Sequence, residues 1–314
     1  INNGTTINNI NDFIYFINNL QIPLIQYLCT SQGSKIMENI LINSISPYEY
    51  KQILLKRLNR KDLIKIMKNT IGNYFIQKLV MNLNEREIIF ILEEIKREFT
   101  EISQNYSGTH VIQALLDKIT SKEMEKIILL SIQGHELDLA YDINSTHVLQ
   151  KILEIIKDTD RIELNDIIIK NTKELALDQN AIFVLKKFIS TITIGQNKIK
   201  IINILSKSCI KLVLNPYGNY VIQYLLENYK SEEIEIINEK IINNASMLSK
   251  QKYSSNVIEI SIKYFNEINR EKLINVLCFS DDTISIIKKK YGHFVINKVI
   301  HYLNNEFNIK FKDQ

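Results

Sequence analysis

Tryptophan is absent from this chain, and cysteine and proline occur only three times each in its 314 residues. Cys29, Cys209 and Cys278 are odd in number and far apart, which argues against a disulfide framework and a CxxC metal site and fits a reducing compartment. With only Pro23, Pro47 and Pro216 to interrupt it, the chain is free to run in helices almost throughout. No apolar run approaches the roughly 18 residues of a membrane-spanning helix, and the opening INNGTTINNI lacks a basic region followed by an apolar one. The sequence therefore reads as a soluble, intracellular protein. A strong charge bias is missing too. The net charge of +4 permits a polyanionic partner without demanding one. Disorder is excluded from the other side, because 45 % hydrophobic residues are ample for a core.

What the chain does contain is repetition. YGNYVIQYLLEN, beginning at Tyr217, echoes IGNYFIQKLVMN, beginning at Ile71. The same phrase returns as GSKIMENIL from Gly33, GTHVIQALL from Gly108, STHVLQKIL from Ser145, AIFVLKKFI from Ala181, SSNVIEISI from Ser254 and GHFVINKVI from Gly292. These eight copies recur about every 37 residues, the period of a stacked helical array. Glycine is scarce, with eight in all, yet five of them (Gly33, Gly72, Gly108, Gly218, Gly292) occupy the first position of the phrase; Ser145, Ala181 and Ser254 fill the rest. A position restricted to Gly, Ala and Ser implies close backbone approach at a helix start.

Within the phrase, apolar residues fall at i, i+1, i+4 and i+5, as in Phe75, Ile76, Leu79 and Val80 or Val221, Ile222, Leu225 and Leu226, which is one stripe of a helix. A second helical pattern lies between copies, for example Glu85–Phe99 and Ser231–Ala245, and no sustained strand alternation occurs. The expectation is an all-helical solenoid whose units bury their stripes against one another.

The stripe does not explain the polar positions. The side chains one and five places after the anchor stand one turn apart and are expected on a single outward face. In chain order these pairs are Ser34 with Glu38, Asn73 with Gln77, Thr109 with Gln113, Thr146 with Gln150, Ile182 with Lys186, Asn219 with Gln223, Ser255 with Glu259, and His293 with Asn297. The residue after each short arm is Lys35, Tyr74, His110, His147, Phe183, Tyr220, Asn256 or Phe294, mostly flat side chains.

This arrangement resembles the Pumilio, or PUF, family of RNA-binding proteins from about Asn19 to the end of the chain, with GNYFIQK, GNYVIQY and SSNVIEI matching the family's repeat motif closely. The resemblance implies an all-α, right-handed curved α-solenoid of eight repeats, filling residues 1–314 as a single domain. Its recognition helices would start near 33, 72, 108, 145, 181, 218, 254 and 292, between a short N-terminal cap at 1–18 and a short C-terminal cap at 304–314. It implies one base of single-stranded RNA per repeat, with the first repeat meeting the 3′ end, and no cofactor, metal or enzymatic activity. It further implies a cytoplasmic monomer that regulates messenger RNA through 3′ untranslated regions, with protein corepressors on the convex face and no membrane partner.

The chemistry needs these residue types. A flat side chain stacks on any base, worth roughly 1–3 kcal/mol, so it holds the strand without choosing sequence. Choice falls to the pairs. Glutamate offers only acceptors, suiting guanine N1–H and its amine, whereas adenine N1 would face the carboxylate unpaired at a cost of about 1–3 kcal/mol. Glutamine and asparagine carry both donor and acceptor, matching uracil or adenine. By resemblance, Asn with Gln reads uracil and Ser or Thr with Gln reads adenine. The expected target is 5′-UGUNAAUG-3′, with the fifth copy unassigned because Ile182 and Lys186 depart from the motif.

Two other readings stand beside this one. A PUF-like protein for structured or ribosomal RNA accommodates the irregular fifth and eighth copies. A HEAT- or armadillo-like protein scaffold accounts for the period, stripe and anchor, but gives the recurring Asn-Tyr-x-x-Gln no role. His110 and His147 lie at the stacking position, His135 lacks the second histidine of a zinc helix, and no phosphate loop or nucleophile elbow occurs. Lys78, Lys151, Lys187 and Lys298, and the run Lys288–Lys290, are solvated or phosphate-contacting cations.

Overall fold

The computed structural model describes residues 9–43, 47–193 and 195–312, and every regular element among them is helical. The chain packs as two compact units, Ile1–Arg161 and Ile162–Gln314. Each unit holds four trios of a long helix, a short helix and a phrase helix. In the first unit the long helices are Ile10–Asn18, Pro47–Arg57, Glu85–Ile95 and Lys122–Ile132. Their short partners are Leu24–Leu28, Arg60–Met67, Phe99–Gln104 and Glu136–Tyr141, and their phrase helices Ser31–Asn43, Gly72–Met81, Gly108–Leu116 and Ser145–Ile155. In the second unit the long helices are Ile162–Lys170, Gly195–Lys207, Glu235–Asn243 and Glu267–Cys278. The short ones are Thr172–Leu175, Cys209–Val213, Ala245–Ser249 and Thr283–Ile287, and the phrase helices Ala181–Thr191, Asn219–Asn228, Ser254–Tyr264 and Lys290–Lys312.

Three details differ from the sequence expectation. The second pattern between phrases is two helices, broken in the third trio by the 3-10 turn Lys96–Glu98 and in the seventh at Asn244. The segment expected as a cap at 1–18 supplies, in Ile10–Asn18, the long helix of the first trio, packed on Pro47–Arg57 as Glu85–Ile95 packs on Lys122–Ile132; residues 1–8 lie outside the described part. At the other end the eighth phrase helix runs on to Lys312, through the stretch expected as a separate cap; residues 313–314 lie outside the described part.

The apolar stripes form the core. Phe75, Ile76, Leu79 and Val80 are fully buried, and so are Val111, Ile112 and Leu115 one trio on. Each such side chain contributes about 1.5–3 kcal/mol by leaving water. The anchor sits on the carbonyl of the residue six places earlier, in the short helix. A methyl group at Gly108 would stand 2.5 Å from Ile102 O, and one at Gly218 would stand 2.9 Å from Leu212 O. Where serine replaces glycine, its hydroxyl donates to the equivalent oxygen: Ser145 to Leu139 O at 3.1 Å, Ser254 to Leu248 O at 2.6 Å. The Gly, Ala, Ser restriction is thus steric, with the hydroxyl adding a hydrogen bond of its own.

Arg161 and Arg270 close two phrase helices from behind. Arg161 is 1 % exposed and donates to the carbonyls of Leu153 and Ile156; Arg270 reaches Ile262 O at 2.7 Å and also Phe265 O. The offsets are identical, and both cations sit at the negative end of a helix. Burial lowers the Arg161 pKa to about 10, with Asp158 opposing the shift.

Candidate nucleic-acid interface

Phrase helices of consecutive trios lie side by side within each unit. Ser31–Asn43 packs on Gly72–Met81, that on Gly108–Leu116, and that on Ser145–Ile155. In the second unit Ala181–Thr191, Asn219–Asn228, Ser254–Tyr264 and Lys290–Lys312 form the corresponding series. Each row presents the same positions from helix after helix.

Depth along the phrase is graded. The short arms Ser34, Asn73, Thr109, Thr146, Ile182, Asn219 and Ser255 are all buried, none more than 3 % exposed. The next residue is exposed in all eight copies: Lys35, Tyr74, His110, His147, Phe183, Tyr220, Asn256 and Phe294. The long arms Glu38, Gln77, Gln113, Gln150, Lys186, Gln223 and Glu259 are half-buried. The sequence expectation of two outward arms is therefore corrected: the short arm lies in the seam between helices, and the long arm lies at its rim. Thr109 shows why, since its hydroxyl donates across the seam to Asn144 O at 3.1 Å. Only the eighth copy follows the expectation, with His293 and Asn297 both exposed.

The seam organises the pairs by hydrogen bonding. Gln77 Nε2 donates to Asn73 Oδ1 at 2.9 Å and Gln223 Nε2 to Asn219 Oδ1 at 2.7 Å. Each asparagine amide in turn donates at 2.8 Å to a backbone oxygen, of Asn69 or Asn215. The glutamine oxygen is left as the outward acceptor of the pair. Gln113 Nε2 donates to Thr109 Oγ1 at 3.2 Å, whereas Gln150 Nε2 reaches the Thr146 backbone oxygen at 3.2 Å. Ser34 Oγ donates to Glu38 Oε1 at 3.0 Å, but Ser255 Oγ turns to Lys252 O at 3.2 Å. Burial raises the pKa of Glu259, with Lys298 on the next phrase helix pulling it back. In the eighth copy Asn297 Nδ2 and His293 Nε2 stand 3.1 Å apart.

The fifth copy is different in kind. Ile182 fills the seam with an apolar group, and Lys186 lays its ammonium 5.4 Å from the ring centre of Tyr224 in the sixth phrase helix. Of the lysines that follow the long arms, Lys151 is tied to Asp117 at 2.5 Å, while Lys78 and Lys298 are exposed.

One recurring element escaped the sequence reading. Asn69, Asn105, Asp142, Asp178 and Asn215 all stand three residues before an anchor. In each, Oδ1 accepts the backbone N–H groups of the anchor and of the residue before it: Asn69 from Ile71 and Gly72, Asp178 from Asn180 and Ala181, Asn215 from Tyr217 and Gly218. These Asx turns satisfy amides left orphaned at the helix start. They fix where the phrase begins, and so where the short arm points. The signal was an Asn or Asp at constant offset, masked by the abundance of asparagine elsewhere.

Comparison with known proteins fits this geometry. A model of the NOP9-like PUF repeat domain matches residues 22–133, and one of the Pumilio-family RNA binding repeat matches residues 135–164, 208–241 and 244–278. The chain is 27 % identical over 241 residues to putative pumilio homolog 7, chloroplastic, of Arabidopsis thaliana, covering 76 % of this chain and 37 % of the relative. It is 25 % identical over 271 residues to pumilio homolog 9 of the same plant, covering 85 % and 47 %. The chain thus spans less than half the length of these relatives. Among solved structures it is similar to the Puf4 RNA binding domain bound to the HO endonuclease RNA 3′ UTR recognition sequence, with TM-score 0.82 and 24 % identity over 90 % of this chain and 87 % of that one. It is also similar to PUF-8 in complex with PBE-RNA, with TM-score 0.80 and 23 % identity over 89 % and 82 %. Eight anchored trios, a graded phrase in seven of them and two matching repeat models converge: the chain belongs to the Pumilio, or PUF, family of RNA-binding repeat proteins.

Proposed function

We propose that this chain binds single-stranded RNA through its phrase helices, one base per trio, and acts on messenger RNA through elements in 3′ untranslated regions. The observation that carries the reading is the three-level phrase of the first seven copies: a buried short arm, an exposed and mostly flat neighbour, and a half-buried long arm, whose side chain is hydrogen-bonded to that of the short arm in four of the seven. A base inserted between neighbouring flat side chains would meet the long arm's free polar atoms at its edge. Read from the eighth copy to the first, the pairs assign 5′-UGUNAAUG-3′. Asn219 with Gln223 and Asn73 with Gln77 take U, Ser255 with Glu259 and Ser34 with Glu38 take G, and the two Thr–Gln pairs take A. His293 with Asn297 takes U, and Ile182 with Lys186 leaves its base unread. The chain would work as a single domain, in the cytoplasm, as a monomer with corepressors on its outer helices.

A second reading, structured RNA held with weak sequence choice, draws support from two copies: the fifth lacks a polar short arm, and the eighth holds both arms out in solvent. Selection from a random single-stranded RNA pool separates the two. The first reading expects enrichment of UGU followed two or three bases later by A-rich sequence. Enrichment of stem-containing RNAs without a GU step would favour the second, and no enrichment at all would return the chain to a protein scaffold.

A further inference from the structure

The first unit carries a groove on its long helices, away from the phrase row. It lies between Pro47–Arg57 and Glu85–Ile95 and encloses about 320 Å³. Leu55 and Phe90 form its apolar wall, and Phe90 is 49 % exposed. Gln52 and Glu87 lie between them, joined at 2.5 Å.

Charge decides what such a groove fits. Glu87 is occupied within the wall: Oε2 accepts the Asn84 amide at 2.8 Å as a capping box, Oε1 takes Gln52, and Lys51 stands 3.9 Å away. Its charge is balanced, and it is only 7 % exposed. Lys56 and Arg86 line the same groove, are exposed, and have no ion-pair partner among the described residues. An apolar wall between two uncompensated cations complements an acidic segment bearing a bulky apolar residue. RNA fits less well. The groove offers one aromatic with no second flat group to continue a stack.

We propose that this groove docks a short acidic segment of a partner protein, seating one Leu or Phe side chain between Leu55 and Phe90, with flanking carboxylates on Lys56 and Arg86. The proposal is independent of the RNA reading, because it uses none of the phrase positions. The test is fluorescence anisotropy on the full chain, with labelled short peptides in which Asp and Glu flank a single Leu or Phe. Phe90→Ala and, separately, Lys56→Glu with Arg86→Glu should each weaken peptide binding by about tenfold. Replacing the peptide's apolar residue by Ser should abolish binding, and the affinity for a UGUNAAUG oligonucleotide should stay within about twofold. Circular dichroism checks that the variants fold, and the charge-reversal pair at exposed positions keeps the test decisive if Phe90→Ala does not. The proposal is overturned if no acidic–apolar peptide binds or if binding ignores both variants. It is equally overturned if charge reversal costs the oligonucleotide as much as the peptide, which would assign the groove to RNA.

Discussion

In the first copy the hydroxyl of Ser34 donates to Glu38 at 3.0 Å; in the seventh the hydroxyl of Ser255 turns to the backbone oxygen of Lys252, and Glu259 is left half-buried near Lys298. The two copies carry the same residues at the same spacing and hold them differently. Residue type fixes which bases a pair can match. Local backbone and the neighbouring helix together decide how the pair is held before a base arrives. In the seventh copy that neighbour is Lys290–Lys312, which brings Lys298 to the carboxylate while burial raises its pKa.

The strongest way to break the comparison is to rebuild the seventh copy in the image of the sixth. Ser255→Asn with Glu259→Gln should move preference at the second base from G to U. Each mismatched hydrogen-bonding group on the old target costs on the order of 1–3 kcal/mol. Equilibrium binding to RNAs differing only at that base measures it, and an unchanged preference for G would mean that the pair reads nothing there. Glu259→Gln alone should shift the same base from G towards A by about 1–3 kcal/mol, and Glu38→Gln should do likewise at the 3′-terminal base. Equal loss on all four bases would make either glutamate structural instead.

Acid should then act on the seventh copy. Because its pKa is raised by burial, Glu259 takes up a proton early as the pH falls from neutral, and preference for G at the second base should decline. The sign for stability is opposite to that of a paired carboxylate. A folded-state pKa above the unfolded value means the group's stabilising contribution is full below the unfolded pKa and is lost as pH rises through the folded one. Glu259→Gln should therefore flatten the pH dependence of the melting temperature in that window, and an unchanged profile would place the carboxylate in water. The smallest effect belongs to Lys298→Ala. Without the cation that pulls the Glu259 pKa down, the loss of G preference should begin at slightly higher pH. Titration of binding at two salt concentrations would detect it, since an exposed charge is screened.

Much of this architecture was legible without coordinates. The 37-residue period, the stripe at i, i+1, i+4 and i+5, and the Gly–Ala–Ser anchor are local consequences of helices that must stack closely. The structure attaches each to a contact, such as the carbonyls of Ile102 and Leu212 beneath Gly108 and Gly218. The residues of the candidate site were legible for the same reason, because they keep a constant offset from that anchor. Less legible were the Asx turns at Asn69, Asn105 and Asn215, hidden by asparagines used elsewhere, and the long helix Ile10–Asn18, which precedes the first phrase and so has no phrase before it to mark it as part of the period.

The sequence by itself determined which side chains recur and how far apart along the chain they stand, because helical spacing follows from backbone geometry alone. Tertiary structure alone decided their depth: that Asn73 and Thr109 lie in a seam, that Tyr74 and Tyr220 stay in solvent, and that Glu259 but not Glu38 loses its serine partner. Depth is set largely by atoms from the neighbouring repeat, as where Thr109 meets Asn144 O, and a linear pattern does not say how closely that repeat approaches.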